Sequence, residues 1–207
     1  MIIPFRSKKD PLFLIHHLKK ASLLVLLVMV LSYFFLDRAI AQWFTHASSS
    51  LYQLSVFLTE LIFARVHFGI WPILYFFFRY VLKKSELAHF ALFILISIAL
   101  ANAASETLKW AFGRMRPELF LTHQLYGFSL FNASDLYHSL PSGHATTAGA
   151  IAGALGCIYP RRIPLFLGLA LMLSLTRIIL GEHFLSDIIG GVFLGTLVAE
   201  WVYRKME

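Results

Sequence analysis

The chain has little charge, a single cysteine and few aspartates, and each scarcity excludes a class of protein. Charged residues make up 14% of its 207 residues. About a quarter are charged in a soluble domain, so the composition indicates an integral membrane protein. Cys157 cannot build a disulfide framework or a cysteine-based metal site within one chain, and we expect it to serve in packing. The aspartates form no cluster along the sequence, which argues against a two-metal catalytic site.

Apolar and basic side chains are what the chain has in abundance. Hydrophobic residues make up 58% and aromatic residues 15%, and the mean hydropathy is +0.72. Lys and Arg number 18 against 11 Asp and Glu, which gives a net charge of +7. Because the cations lie mostly between apolar segments, they indicate membrane topology and anionic lipid head groups, and we expect no nucleic-acid partner.

Six apolar stretches organise the chain. Several are shorter than the ~20 residues that cross a bilayer, so amphipathic turns at their ends have to complete them. Backbone polar groups in lipid must be paired within their own segment, which favours helices. The sequence therefore predicts an all-α bundle of six transmembrane helices in a single membrane-embedded domain, residues 1–207. The stretches are 21–36, 66–82, 87–108, 145–159, 163–180 and 184–203.

The basic residues between these stretches predict the orientation. Four basic segments fall on one side of a six-span arrangement, which is the cytoplasmic side by the positive-inside rule. They are 6–20, 79–86, 160–162 and 204–205. Both termini are therefore expected in the cytoplasm, with the 37–65 connection outside and its 39–65 part in the outer interface. A cleavable signal peptide ending near 39–41 is the alternative interpretation of the first stretch.

His183 and Asp187 are the first candidates for chemistry. Four residues apart on a helix, they share a face. The carboxylate can then accept a hydrogen bond from one ring nitrogen and leave the other nitrogen free to attack. A hydrogen-bonded pair at a helix end would have the same spacing, so this pair alone is weak support for catalysis.

Lys109, Arg116 and Arg177 are candidate ligands of a phosphoryl group. Positioned ammonium and guanidinium groups stabilise the negative charge that spreads over the oxygens of a phosphoryl group in transfer. Pro117 restricts Arg116 to an extended conformation and so fixes where that side chain points. Head-group anchoring is the alternative for Lys109 and Arg116, and we expect Arg114 to be such an anchor.

The segment 141–144, Pro-Ser-Gly-His, precedes a helix rich in small residues. Ser142 and Gly143 would lie at the helix N-terminus, where a hydroxyl and backbone N–H groups can bind an anion. The glycine would let a phosphate approach the backbone closely. His144 follows within reach of a leaving group as a general acid. A capped helix with an interfacial histidine is the alternative.

The three segments together, in this order and with these spacings, resemble the type 2 phosphatidic acid phosphatase (PAP2) superfamily, which also contains vanadium haloperoxidases. The family pattern is Lys-x6-Arg-Pro, Pro-Ser-Gly-His and Ser-Arg-x5-His-x3-Asp, and this chain departs from it once, with Thr176 in place of serine. The resemblance implies a phosphohistidine on His183, oriented by Asp187, with His144 as general acid and then base. It implies no metal or other cofactor. The implied phosphoryl ligands are Lys109, Arg116, Ser142, Gly143 and Arg177.

The sequence therefore predicts an enzyme, a metal-independent lipid phosphatase of a bacterial inner membrane with its site facing the periplasm. Candidate substrates are undecaprenyl pyrophosphate, phosphatidylglycerophosphate, phosphatidic acid and the phosphates of lipid A. The aromatic loop 118–140 is the candidate for selecting among them. Phosphotransfer between lipids at the same site is one alternative, and a non-catalytic lipid-phosphate carrier or flippase is another. The bilayer-adapted composition disfavours a soluble-type haloperoxidase, and the sequence indicates no particular oligomeric state.

Overall fold

The computed structural model describes the backbone of residues 12–206 and the side chains of residues 22–206. Every regular element in that part of the chain is helical and no β-strand occurs there, so the predicted all-α class is confirmed. Its α-helices are α1 (Leu12–Leu31), α2 (Asp37–Phe44), α3 (Ser49–Thr59), α4 (Ala64–Phe76), α5 (Ser85–Phe112), α6 (Pro117–His123), α7 (Gly143–Ile158), α8 (Ile163–Ser174), α9 (Thr176–Ile179) and α10 (Leu185–Met206). Short 3-10 turns cover Glu60–Ile62, Asp135–Tyr137 and Pro160–Arg162, and π-helical turns cover Ser32–Leu36 and Phe77–Val81.

Fewer helices than six meet the length and hydropathy that a membrane crossing requires. Four do so within the described residues, and a fifth arises if α3 and α4, which meet at a bend of 41°, form one broken span. The expected span that does not meet this requirement is 145–159, which corresponds to α7, whose 16 residues fall short of a bilayer. The six-helix count and the cytoplasmic termini stay predictions, and the N-terminal cations that support them lie outside the described side chains. The four helical segments that meet the length and hydropathy requirement are Ser22–Phe44, Ser85–Phe112, Pro160–Ile179 and Leu185–Met206.

Helices α7 and α10 pack almost backbone to backbone. A methyl group built on Gly195 would overlap the carbonyl oxygen of Thr146, and one built on Gly149 would overlap that of Val192. Small residues at such an interface let membrane helices approach closely and gain van der Waals contact. Early residues of α7 meet early residues of α10, so the two helices run parallel and begin at the same end of the bundle.

The end of α5 determines where the first motif emerges. Gly113 follows the helix with a φ of 56°, a left-handed conformation that favours glycine, and a side chain there would overlap the carbonyl oxygen of Ser129. Arg116 is extended, with φ −79° and ψ 161°, and Pro117 occupies the first position of α6. This local geometry is the one that the Arg-Pro pair predicts.

The connection predicted to begin at residue 37 begins later. The first helix continues through the turn Ser32–Leu36 into α2, so the apolar segment extends to Phe44. Asp37 lies inside it with only 1% of its surface exposed. A carboxylate that stays in water marks the end of an apolar stretch. Asp37 instead pairs with a cation inside the protein, and this pairing compensates for the cost of removing its charge from water.

Replacing Gly195 with alanine should destabilise the protein, because the added methyl group would overlap backbone atoms rather than a flexible side chain. Overpacking of this kind costs about 1–3 kcal/mol, so the melting temperature in detergent should fall by roughly 2–10 °C.

Gly168→Ala is the matched control, since no atom lies within 4 Å of a Cβ built on that glycine of α8. It should leave the melting temperature unchanged or slightly raised. Equal melting temperatures for the two variants would contradict the close contact between α7 and α10.

Candidate active site

The three motif segments meet where α7 and α10 begin. Lys109 lies in the last turn of α5, Ser142 caps the N-terminus of α7, and Asp187 lies in the first turn of α10. Arg177 belongs to α9, and His183 lies in the turn that leads from α9 to α10. The backbone N–H of Ser142 donates to the carbonyl oxygen of Asp187 at 3.1 Å, which joins the second segment to the third.

The N-terminus of α7 combines a hydroxyl cap with a nearby ammonium group. The side-chain oxygen of Ser142 accepts a hydrogen bond from the backbone N–H of Ala145 at 3.5 Å. A Cβ built on Gly143 would lie 3.4 Å from Nζ of Lys109, so the lysine reaches the glycine at the helix start. An anion bound here would meet backbone N–H groups and a cation together.

Each of the three candidate phosphoryl-binding cations has a carboxylate close by. Nζ of Lys109 lies 2.5 Å from Oε1 of Glu106. One oxygen of Glu182 lies 2.6 Å from a terminal nitrogen of Arg116 and 3.7 Å from one of Arg177. Glu182 therefore lies between the two guanidinium groups that would hold a phosphoryl group. Its side chain is 44% exposed, so solvent reaches the carboxylate.

His183 is buried against the carboxylate of Asp187. Its Nδ1 lies 3.8 Å from Oδ2 of Asp187, beyond hydrogen-bond length, and has no other partner within the described residues. Burial lowers the pKa of His183 to about 4, against the opposing effect of Asp187 and with further lowering by Arg116 and Arg177. The imidazole is therefore neutral at neutral pH, the form in which it can act as a nucleophile.

His144 lies against a segment that the sequence analysis placed in the outer interface without assigning any of its residues to the site. Its ring stacks on Phe63, with ring centroids 5.0 Å apart and planes inclined by 14°. Four residues earlier, the hydroxyl of Thr59 accepts a hydrogen bond from Arg177 at 3.3 Å. Both residues flank the turn Glu60–Ile62 between α3 and α4. Nothing in the sequence marks them, because an aromatic residue between two apolar helices is ordinary in a membrane protein.

Electrostatic contacts place the predicted site residues in one cluster. Burial is the largest cause of a lowered pKa at His144, and the positive charges of Arg177, Lys109 and Arg116 lie close enough to lower it further. Asp187 is joined to the same cluster through His183. Ser142 and Gly143 at the start of α7 lie beside Lys109. The structure thus brings every predicted site residue to one place.

Arg114, predicted to anchor lipid head groups, is instead buried. Its side chain is 1% exposed and pairs with Asp37 at 2.6 Å and with Asp187. Burial alone would lower the pKa of Arg114, but the two carboxylates raise it above its ordinary value, so the guanidinium stays charged. The prediction was wrong because a basic residue beside a membrane helix can face lipid or protein equally well. The isolated Asp37 in an apolar run was the available signal, since a charge there needs a partner.

Only part of the predicted substrate-selecting loop 118–140 faces outward. The segment starts as helix α6, where Leu119 and Phe120 are buried. The ring of Phe120 packs against Tyr126 and Phe184, so these side chains belong to the interior and do not select a substrate directly. The exposed apolar residues of the segment are Leu125, Phe128, Leu130 and Phe131.

A metal site is not apparent among the described residues. No group of three or more His, Cys, Asp or Glu side chains there has the arrangement needed to hold an ion. The buried carboxylates are already occupied by protein partners. Metal independence itself stays a prediction for an activity assay with a chelator.

Comparison with known proteins gives one family and several relatives. The model of the PAP2 superfamily matches residues 90–207, which contain all three motif segments. A lipid A 1-phosphatase of Rhizobium johnstonii is 33% identical over 103 residues, which cover 50% of this chain and 42% of that protein. The putative undecaprenyl-diphosphatase YbjG of Escherichia coli is 31% identical over 121 residues, which cover 55% of this chain and 59% of that protein. The chain thus spans about half the length of the curated relatives it matches.

A solved structure has the same overall fold. The transmembrane PAP2-type phosphatidylglycerolphosphate phosphatase from Bacillus subtilis matches with a TM-score of 0.64 at 22% sequence identity. The match covers 91% of this chain and 95% of that one. At this identity the likeness concerns the fold alone, and it agrees with a helical bundle embedded in a membrane.

Replacing Glu182 with glutamine should strengthen the binding of vanadate or phosphate, because it removes a negative charge beside Arg116 and Arg177. A unit charge about 4 Å away in a solvated setting contributes about 1 kcal/mol. The inhibition constant of vanadate should therefore fall roughly fivefold.

Glu86→Gln is the matched control. It makes the same charge change on α5, 23 residues before Lys109, which is about 35 Å along the helix, and it should leave the inhibition constant unchanged. A constant that stays the same or rises in Glu182→Gln would show that this carboxylate does not oppose anion binding.

Proposed function

Because the chain belongs to the PAP2 superfamily, we propose that it is a lipid phosphatase that hydrolyses a phosphate or diphosphate monoester of a membrane lipid without a metal ion. One arrangement carries this proposal. The buried imidazole of His183 turns Nδ1 toward Asp187, and it shares a cluster with the cations Lys109, Arg116 and Arg177. A neutral nucleophile beside an oriented carboxylate and several cations suits transfer of a phosphoryl group.

In the first step, Nε2 of His183 attacks the phosphorus atom. Because Nδ1 faces Asp187, Nε2 is the nitrogen left free, and the carboxylate stabilises the cation that forms. The bond from phosphorus to the leaving oxygen breaks as the nitrogen–phosphorus bond forms, and that oxygen takes a proton from the imidazolium form of His144. In the protein alone, burial and then the nearby cations lower the pKa of His144 to about 3. The negative charge of a bound phosphoryl group opposes this shift and favours the protonated form that the step needs. The product is a phosphohistidine and a free lipid alcohol, or a lipid monophosphate when the substrate is a diphosphate.

In the second step, water attacks the phosphorus atom of the phosphohistidine. His144, which has given up its proton, now accepts one from the attacking water. The nitrogen–phosphorus bond breaks, inorganic phosphate leaves, and His183 returns to its neutral form. In both steps the negative phosphoryl oxygens are held by charges and backbone N–H groups. The groups proposed for this are Lys109, Arg116, Ser142, Gly143 and Arg177.

The proposal puts the site at the outer membrane face. With six spans and both termini in the cytoplasm, the ends of the helices that carry Lys109, Ser142 and His183 all fall on the outer side. Cations on the outer side do not fit the positive-inside rule, so membrane topology does not explain them. A catalytic role does explain them. In a bacterium this is the periplasmic side of the inner membrane, and residues 1–207 form one membrane-embedded domain.

Apolar side chains beside the cations support a lipid substrate. Trp110, next to Lys109, is half-exposed and packs edge-on against the exposed Phe131 at a centroid distance of 4.8 Å. Exposed aromatic residues of this kind favour the membrane–water interface, so the head of a lipid can enter while its chains stay in the bilayer. The names of the relatives point to lipid A phosphate and undecaprenyl diphosphate as substrates. Phosphatidylglycerophosphate and phosphatidic acid complete the set of candidates.

The purified protein in detergent should release inorganic phosphate from at least one lipid of a panel of these four substrates. EDTA should leave the rate unchanged, and vanadate should inhibit it. His183→Ala should lower kcat by a factor on the order of 10⁴ or more, as loss of a nucleophile does. The variant Cys157→Ala, at a buried position in α7 outside the site, is the control for handling and should keep its activity.

The same panel separates the other functions. If phosphate is transferred to an added acceptor lipid and none is released into solution, the protein is a phosphotransferase. Lipid binding with no turnover, unchanged in His183→Ala, would make it a carrier or flippase. Activity abolished by EDTA would overturn the metal-free mechanism.

A further inference from the structure

A buried network of charges connects the first transmembrane segment to the candidate catalytic carboxylate. At its centre is Arg114, the largest fully buried side chain among the described residues. One terminal nitrogen of Arg114 contacts Asp187 and donates to the hydroxyl of Ser186 at 2.6 Å. The other pairs with Asp37 at 2.6 Å. One guanidinium therefore bridges a residue of α2 and a residue of α10.

Asp37 is held firmly at its end of the network. Its Oδ1 accepts hydrogen bonds from the hydroxyl of Ser32 at 2.7 Å and from the backbone N–H of Ser186 at 3.0 Å. Its Oδ2 lies 2.5 Å from the hydroxyl of Ser186 and 3.2 Å from that of Tyr126. Hydrogen bonds of this number fix the orientation of the carboxylate.

The two oxygens of Asp187 are divided between the network and the candidate active site. Oδ1 contacts Arg114. Oδ2 accepts hydrogen bonds from the hydroxyl of Ser139 at 2.6 Å and from the backbone N–H of Phe184 at 2.8 Å, and it is the oxygen that lies 3.8 Å from Nδ1 of His183. Rotation of the carboxylate would break its contact with Arg114, so the guanidinium determines which oxygen faces the histidine.

The network also sets the charge next to His183. Two carboxylates share one guanidinium, so the group carries one net negative charge in a buried place. Removing the charge of Asp37 alone would leave it neutral, and removing that of Arg114 alone would leave two uncompensated negative charges. Loss of one partner of a buried ion pair is costly for this reason.

We propose that Asp37 and Arg114 are positioning residues of the reaction: they fix the orientation of Asp187 and the net negative charge beside His183, and so stabilise the imidazolium that forms when the nucleophile attacks. This inference rests on the proposed function. Neither residue touches the phosphoryl-binding cations in the structure, so both act through Asp187 rather than on the substrate. The first membrane segment thereby contributes to a site whose motifs all lie in the second half of the chain.

A network that only fastened the first segment to α10 would behave differently in a kinetic experiment. Its loss would lower the amount and melting temperature of folded protein, while the kcat of the folded molecules would stay the same. A positioning network changes kcat with little change in KM, because it acts on the transition state and not on substrate binding. The other charged groups that act on His183 are Arg116 and Arg177.

The test is a charge cycle in three variants: Asp37→Asn, Arg114→Gln and the two together. Each single variant should lower kcat by about 10- to 100-fold, the range seen when partners of a catalytic ligand are removed, with KM changed less than about threefold. The double variant restores one net negative charge, so its kcat should exceed that of either single variant. Such non-additivity is what coupled neighbours show.

Arg38→Gln is the matched control. Arg38 follows Asp37 directly and is exposed. It stacks on the ring of Tyr126, but among the described residues no ion pair joins it to Asp37 or Asp187. This variant should keep the kcat of the wild-type protein. All rates are taken per mole of monodisperse protein, with the melting temperature measured beside them.

Wild-type kcat in both single variants, or a double variant at least as slow as the slower single variant, would overturn the proposal. If a single variant does not fold, Tyr126→Phe decides, since it removes one hydroxyl from Asp37 and Arg114 and keeps the ring. A kcat lowered at least twofold then supports the proposal, and an unchanged kcat overturns it. Failure of the proposed function would appear earlier, as a wild-type protein that releases no phosphate.

Discussion

The parallel contact between α7 and α10 determines where the helix start at Ser142 and the candidate catalytic carboxylate of Asp187 lie. Gly149 and Gly195 leave no space for side chains at this interface, so the two helix backbones touch. The cap at Ser142 and the first turn at Asp187 are then close enough for a direct backbone hydrogen bond. A looser interface would separate the helix start proposed to bind the phosphoryl group from the histidine proposed to attack it. Close packing of small residues at this interface therefore brings the two proposed functional groups within reach of each other.

Charge in this molecule is sparse, and where it is buried it is paired. Burying an ion in a membrane protein costs several kcal/mol unless partners compensate, and here Arg114 compensates two carboxylates at once. Glu106 and Glu182, by contrast, are solvent-accessible and lie beside the cations proposed to bind phosphate. The site therefore combines a buried charge network behind His183 with solvent-accessible carboxylates beside these cations.

The sequence predicted the helical class and the grouping of the three motifs better than it predicted the residues that pack around them. Helix class and the clustering of the three motifs followed from hydropathy and from residue spacing, because these depend on local pattern. The role of Arg114 did not, since a cation near a membrane surface has the same sequence signature whether it faces lipid or a buried Asp37 that is 77 residues away. Phe63 against His144 was equally invisible, because such a contact depends on how α3 and α4 bend. The residues that the sequence did not reveal are those whose roles depend on packing between distant parts of the chain rather than on composition.

The central claim is that the phosphoryl group passes through His183, and rapid quenching during turnover of a ³²P-labelled substrate tests it most directly. The account predicts protein-bound label that is stable to alkali, labile to acid and located on His183 by mass spectrometry. It predicts that label accumulates in His144→Ala with p-nitrophenyl phosphate, whose leaving group needs no acid while the attacking water still lacks its base. Full turnover with no bound label in either protein would mean that water attacks the substrate directly, and it would contradict the account.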